Sequence, residues 1–122
     1  VTTRQFDTGA NRDTEAGKLD FEGFLDPAVL WAFAEYMNEN RTLKDGSLRA
    51  SDNWQKGIPR DVYMKSLLRH VFDLWLLHRG HEVTRPEDDE AVDVTHALGG
   101  ILFNVQGYWH ESLQADGSVP SE

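Results

Sequence analysis

With 122 residues, the chain has room for one domain, 1–122, and a modest core. Its net charge of −9 argues against a non-specific nucleic-acid binder, which needs a basic surface to release counterions. A nucleotide enzyme remains open, because bound divalent cations can supply the positive charge. With no cysteine, neither a disulfide framework nor a thiolate zinc site is available.

Residues 1–25 are rich in Gly, Asp, Thr and Lys and are anchored by Phe6, Leu19, Phe21, Phe24 and Leu25. They read as an irregular arm that docks on something. The polar start, Val1 to Asp7, is not that of a signal peptide, and no apolar run approaches the roughly 18 residues of a membrane span. A cytoplasmic protein with no membrane or nucleic-acid partner is expected.

The first helix starts at Asp26, a good N-cap, with Pro27 at N1, where a missing N–H costs nothing. Val29, Leu30, Phe33 and Met37 mark one face as far as about Asn40. A polar loop, 41–58, follows; a connection this long is usually functional. The second helix runs from Pro59 or Arg60 to His78, with Gly80 ending it. Its apolar residues, Tyr63 to Leu77, cover more than half its circumference, so it is central or packs on a second subunit. Leu76, Leu77 and Trp75 are the expected interface residues. A hydrophobic content of 39% is low for a monomer with such helices, which points the same way.

After a charged turn, a third helix is predicted from about Glu87 to Glu111, with Val94, Leu98, Ile101, Leu102 and Val105 as its apolar face. On it Asp89, Asp93, His96, Gly100, Asn104 and Glu111 fall within about 80° of each other, a narrow polar stripe. Residues 114–122 read as a polar, disordered tail. No convincing alternating strand is visible, so the expected class is all-α.

Chemistry concentrates in Asp52-Asn53-Trp54, in His70 and Asp73, and in Glu90, Asp93 and His96. Residues three apart share a helix face, so two facing helices could offer hard ligands to Mg²⁺ or Mn²⁺. Asp73, Glu90 and Asp93 are the candidate carboxylate ligands, and His70 and His96 could complete the sphere or orient waters. One carboxylate could serve as the base in phosphoanhydride hydrolysis. Trp54 could stack on a base, with Asn53 and Asn104 beside it as substrate-binding candidates. Each has a plainer alternative: His70 as a core histidine, Glu90 as part of a solvated helix start, Trp54 as an apolar plug. Glu35 and Glu39 lie opposite the apolar face of the first helix and read as solvated. Glu35 is nonetheless a candidate acceptor for the two N–H donors of guanine.

The run from Asp52-Asn53-Trp54-Gln55 to His70 and Asp73 resembles the MazG-like all-α nucleoside triphosphate pyrophosphatases. There a short Trp-containing loop precedes a helix with an ExxE motif, and an ExxD motif follows. His70-Val71-Phe72-Asp73 takes the ExxE place, with His for the first Glu, and Glu90-Ala91-Val92-Asp93 reads as ExxD. A second register, set by Gly99-Gly100-Ile101-Leu102-Phe103 against that family's GDLLF run, puts Ala97 and Gly100 at the acid positions.

Further motifs cover most of the chain: Thr8-Gly9-Ala10-Asn11-Arg12-Asp13, Gly17-Lys18, Asn53-Trp54, Arg69-His70 and His96-Ala97. In this order they resemble the phage dATP/dGTP diphosphohydrolase N-terminal family, and within it the MazZ-type dGTP pyrophosphohydrolases of phages that use 2-aminoadenine. Asp93 stands where many members have a first His. The resemblance implies a MazG-like bundle assembled as a homodimer or homotetramer in the host cytoplasm. It further implies Mg²⁺ or Mn²⁺, and cleavage of dGTP, with dATP also in view, to the monophosphate and pyrophosphate. The dGMP formed would feed 2-aminoadenine nucleotide synthesis. Arg12 and Lys18 would then reach phosphates, or a neighbouring subunit's site. Two rivals remain: an HD-type enzyme releasing triphosphate, weakened by the lack of an adjacent His-Asp pair, and a non-catalytic helical interaction module.

Overall fold

The computed structural model describes residues 3–14 and 16–117. They form a mostly helical protein with one small β-hairpin: β1 (Thr3–Gln5), β2 (Asn11–Asp13), α1 (Phe21–Phe24), α2 (Pro27–Glu39), α3 (Arg60–His78) and α4 (Val94–Asp116). None of these helices is long and apolar enough to cross a membrane.

The arm is therefore more ordered than its composition indicates. Gly9, at φ +88°, permits a tight turn closed by Phe6 N–H to the Ala10 carbonyl at 2.8 Å, and the two strands pair antiparallel. A strand of three residues is too short to show alternation, which is why it escapes a periodicity reading. Asp20 caps the single turn of α1 by accepting from Gly23 N–H at 2.9 Å.

The boundaries of α2 and α3 follow their local signals. Asp26 accepts from Ala28 N–H at 2.9 Å with Pro27 at N1, and α3 stops where Gly80 takes φ +89°. The start of the last helix departs from expectation. The acidic run at 87–90 reads like a helix N-terminus, but 85–90 closes into a turn held by the Arg85–Asp88 ion pair. Asp88 also accepts from Glu90 N–H at 3.1 Å, and Thr84 and Ala91 form a β-bridge. Asp93 is the true N-cap, its carboxylate accepting from His96 N–H at 2.8 Å. At the other end α4 continues to Asp116 instead of giving way to a tail at Gln114; residues 118–122 lie outside those described.

α4 is the axis of the helical body. Ala97, Gly99, Gly100, Asn104 and Gly107 are buried on it, a surface of small residues that lets large side chains of α2 and α3 sit against its backbone. Tyr63 meets Gly107, His70 meets Gly100 and Tyr36 meets Gly99, so α3 runs antiparallel to α4 while α2 crosses near its N-terminal half. Among the described residues, Tyr63 is the only large side chain that is fully buried.

Candidate functional site

The 41–58 segment is a folded loop. Arg41 organises its first half: its Nε donates to the Arg49 carbonyl at 2.9 Å, and its carbonyl accepts from Arg49 N–H at 2.8 Å. A bridge between Thr42 and Leu48 closes the turn. The second half forms a 3₁₀ turn, Asn53–Lys56, pinned to α4. There the Trp54 indole stands edge-on to His110 (centroids 4.8 Å apart) and Phe103 (6.4 Å), and Glu111 accepts from Ile58 N–H at 3.2 Å. Trp54 is thus packed like a plug while one part of it remains at a cavity.

That cavity, about 610 Å³, opens between α2, the loop, α3 and α4. Its volume is within the range of small-molecule sites, roughly 300–1,000 Å³. Phe33, Met37, Tyr36, Trp54 and Phe103 give it apolar and aromatic walls, and Asn38, Asn53, His70, Asn104, Arg41 and Arg49 supply polar groups. Of the candidates read from the sequence, Asn53, Trp54, His70 and Asn104 come together here.

Asn104 is the most informative of them. It is only 2% exposed, yet it lines the cavity. Its Nδ2 donates to the Gly100 carbonyl at 2.7 Å, which fixes the amide and leaves the Oδ1 acceptor for a ligand donor. His70, pressed against Gly100, has its pKa lowered, chiefly because burial disfavours the cation; nearby Asp73 opposes the shift and Arg69 assists it. At neutral pH the ring therefore meets a ligand as neutral imidazole, able both to donate and to accept.

The remaining candidates are elsewhere. Asp73, half-buried, is close enough to act on the His70 charge but does not line the cavity. Glu90 is exposed in the 85–90 turn, so the pairing of Glu90 with Asp93 on one helix face does not form. Glu35 is exposed on α2 outside the cavity lining. Arg12 and Lys18 belong to the hairpin region. The alternative register offers no ligands either, since Ala97 and Gly100 are packing positions. Among the described residues, no group of three or more His, Asp or Glu side chains converges as metal ligands would.

A second polar group forms beside the α2–α4 crossing. Asp93 accepts from His96 N–H and lies 2.7 Å from its Nδ1, while His96 Nε2 is 3.8 Å from Glu39 Oε2. The hydrogen bond from the His96 backbone, then the one from its ring, pulls the Asp93 pKa below the ordinary carboxylate value. Tyr36 stands edge-on to His96 and also lines the cavity, joining the two places. Glu39 is exposed, as the apolar stripe of its own helix predicts; the sequence does not show that His96 comes near it. Sequence reading missed Arg41 and Arg49, two loop cations with no spacing signal.

Asp93→Asn separates the cap from the charge. Asn caps as well as Asp, so helical content should be retained at neutral pH. A depressed carboxyl pKa gives stability that is present above the unfolded-state value and lost as pH falls through the folded one. The wild type should therefore lose a small increment on acidification that the Asn variant lacks, measured as urea midpoints across acidic pH. Parallel curves would show that Asp93 contributes no charge-dependent stability.

Comparison with protein-family models, curated proteins and solved structures finds no match to this chain.

Proposed function

We propose that this protein binds a purine nucleoside triphosphate in the cavity and hydrolyses it to the monophosphate and pyrophosphate, with dGTP as substrate and dATP as a second one. The carrying observation is that Trp54 and Asn104 line one cavity of purine-accommodating volume. An indole supplies stacking that every base can use. The Asn104 carboxamide oxygen suits the N1–H and N2–H₂ donors of guanine, a role given to Glu35 from sequence alone. Arg41 and Arg49, at the same cavity, can take up phosphate charge.

The Mg²⁺ or Mn²⁺ that the resemblance implies does not find a convergent ligand set among the described residues. Among the side chains that line the cavity, His70, held neutral by burial, can accept the proton of an attacking water. The water oxygen bonds to the α-phosphorus, the α–β phosphoanhydride breaks, and pyrophosphate leaves.

A homo-oligomer belongs to the same reading. The accessible surface is 10036 Å², against about 6,700 Å² for a compact monomer of this mass. Met64, Leu68, Phe72 and Trp75 form an exposed apolar stripe on α3, and Val94, Leu98, Val105 and Trp109 form another on α4. These are surfaces a second copy would cover. The α3 stripe keeps Trp75 from the expected interface but not Leu76 or Leu77, which are partly buried.

Incubating the protein with each dNTP and divalent metal, and identifying the products, tests the activity. Pyrophosphate supports the proposal; triphosphate, or no product from any dNTP, overturns it. Trp54→Ala should raise KM for dGTP and dATP alike by roughly 10-fold, on stacking worth about 1–3 kcal/mol. An unchanged KM would return Trp54 to a purely packing role.

A further inference from the structure

The chain has 21 Asp and Glu residues, yet among the described residues none of them lines the helical cavity, whose fixed charges are Arg41 and Arg49. Neither arginine is ion-paired to a described residue. Their guanidinium groups do different things. Arg41, half-buried, donates from Nε to the Arg49 carbonyl at 2.9 Å and from Nη1 to Asn38 Oδ1 at 3.3 Å. Its own carbonyl accepts from Arg49 N–H at 2.8 Å, so both backbone polar groups of Arg49 are tied to Arg41. The Thr42–Leu48 bridge, with Gly46 at φ +87°, folds the chain between them into a tight turn. Arg49 is exposed, and its guanidinium has no hydrogen-bond partner among the described residues.

Cations that line a cavity free of carboxylates make it locally positive, even in a chain of net charge −9. A guanidinium matches two phosphate oxygens at once, and a group already holding two protein oxygens has less to offer than one holding none. We propose that Arg49 grips the phosphate end of the ligand and that Arg41 is the positioning residue that presents it. The cavity thereby selects nucleotides over nucleosides. This rests on the reading of the cavity as a purine nucleotide site. The base end is anchored separately: Trp54 packs on Phe103 and His110, and Glu111 holds Ile58 N–H, contacts that do not involve Arg41. Loss of the Arg41 clamp should therefore loosen the phosphate end and spare the base.

NMR titration of the full chain with deoxyguanosine and with a dGTP analogue carrying an α,β-imido bridge tests it. The wild type is expected to bind the analogue about 10-fold or more tightly than the nucleoside, through charge-assisted hydrogen bonds. R49A should lose most of that difference while keeping its affinity for deoxyguanosine. R41A should do the same, and R41A/R49A should lose no more than R49A, because Arg41 acts through Arg49. R41K keeps the charge but not two bonds from one planar group, so it should not restore the difference. The amide spectrum of each variant reports folding, and R49A, changed at an exposed side chain, carries the test even where R41A does not fold. A wild type that binds the analogue no more tightly than deoxyguanosine, or an unchanged difference in R49A, overturns the proposal. Restoration by R41K, or an additive loss in the double variant, also overturns it, by making Arg41 a direct phosphate contact. So does loss of deoxyguanosine binding in R41A, which would make Arg41 a support of the whole cavity. Absence of dNTP turnover with the arginine pattern intact would overturn the hydrolytic reading alone.

Discussion

Gly107→Ala is expected to destabilise the fold by about 2 kcal/mol, although alanine is the better helix former. A Cβ at this position would lie 2.2 Å from both Cε1 and Cζ of Tyr63, far inside any tolerable contact. Tyr63 is 1% exposed, and its hydroxyl has no hydrogen-bond partner among the described residues, so shape alone positions the ring. Overpacking costs roughly 1–3 kcal/mol or more. Helix propensity offsets about 1 kcal/mol of that. Urea unfolding of Gly107→Ala, Tyr63→Leu and the double variant measures the contact. The double variant should be less destabilised than the two single effects combined, because without the aromatic ring the added methyl has space. A higher midpoint in Gly107→Ala would show that the helices can separate at no cost.

Asn104→Leu is expected to lower kcat/KM for dGTP by about 10- to 100-fold, from hydrogen bonds worth roughly 1–3 kcal/mol. The substitution keeps the side-chain volume close but removes the donor to the Gly100 carbonyl and the acceptor at the cavity. dATP lacks the N1–H and 2-amino donors, so it should lose less, and the dGTP:dATP preference should narrow. A site built around a hydrogen bond discriminates more sharply than an apolar one, so the ratio is the sensitive readout. Steady-state kinetics with dGTP, dATP and dITP, which lacks only the 2-amino group, separates the two guanine donors. An unchanged dGTP:dATP ratio would move base recognition away from Asn104.

These two residues show why α4 carries so much of the protein. Glycine at 99, 100 and 107 brings α4 against aromatic and imidazole rings of α2 and α3, and Asn104 lies between these contacts. The polar stripe seen in the sequence is in part a packing surface. Its Gly100 makes close approach possible, and Asn104, its other buried member, also reaches the cavity.

Local chemistry determined the two middle helices. Asp26-Pro27 and Gly80 act on their own few residues of backbone, so their effects can be read without knowing what lies across the fold. The joining of Asn53, Trp54, His70 and Asn104 was legible only as a list of suitable residue types. Their meeting depends on Trp54 docking against Phe103 and His110, about fifty residues away. The sequence overextended α4 because acidic residues suit any helix N-terminus. Only the competition between the Arg85–Asp88 turn and the Asp93 cap fixes where the helix begins. Glu39 is on the solvated face that a helical wheel gives it, but the wheel reports only a residue's angle to its own apolar stripe and does not show that His96 approaches from another helix.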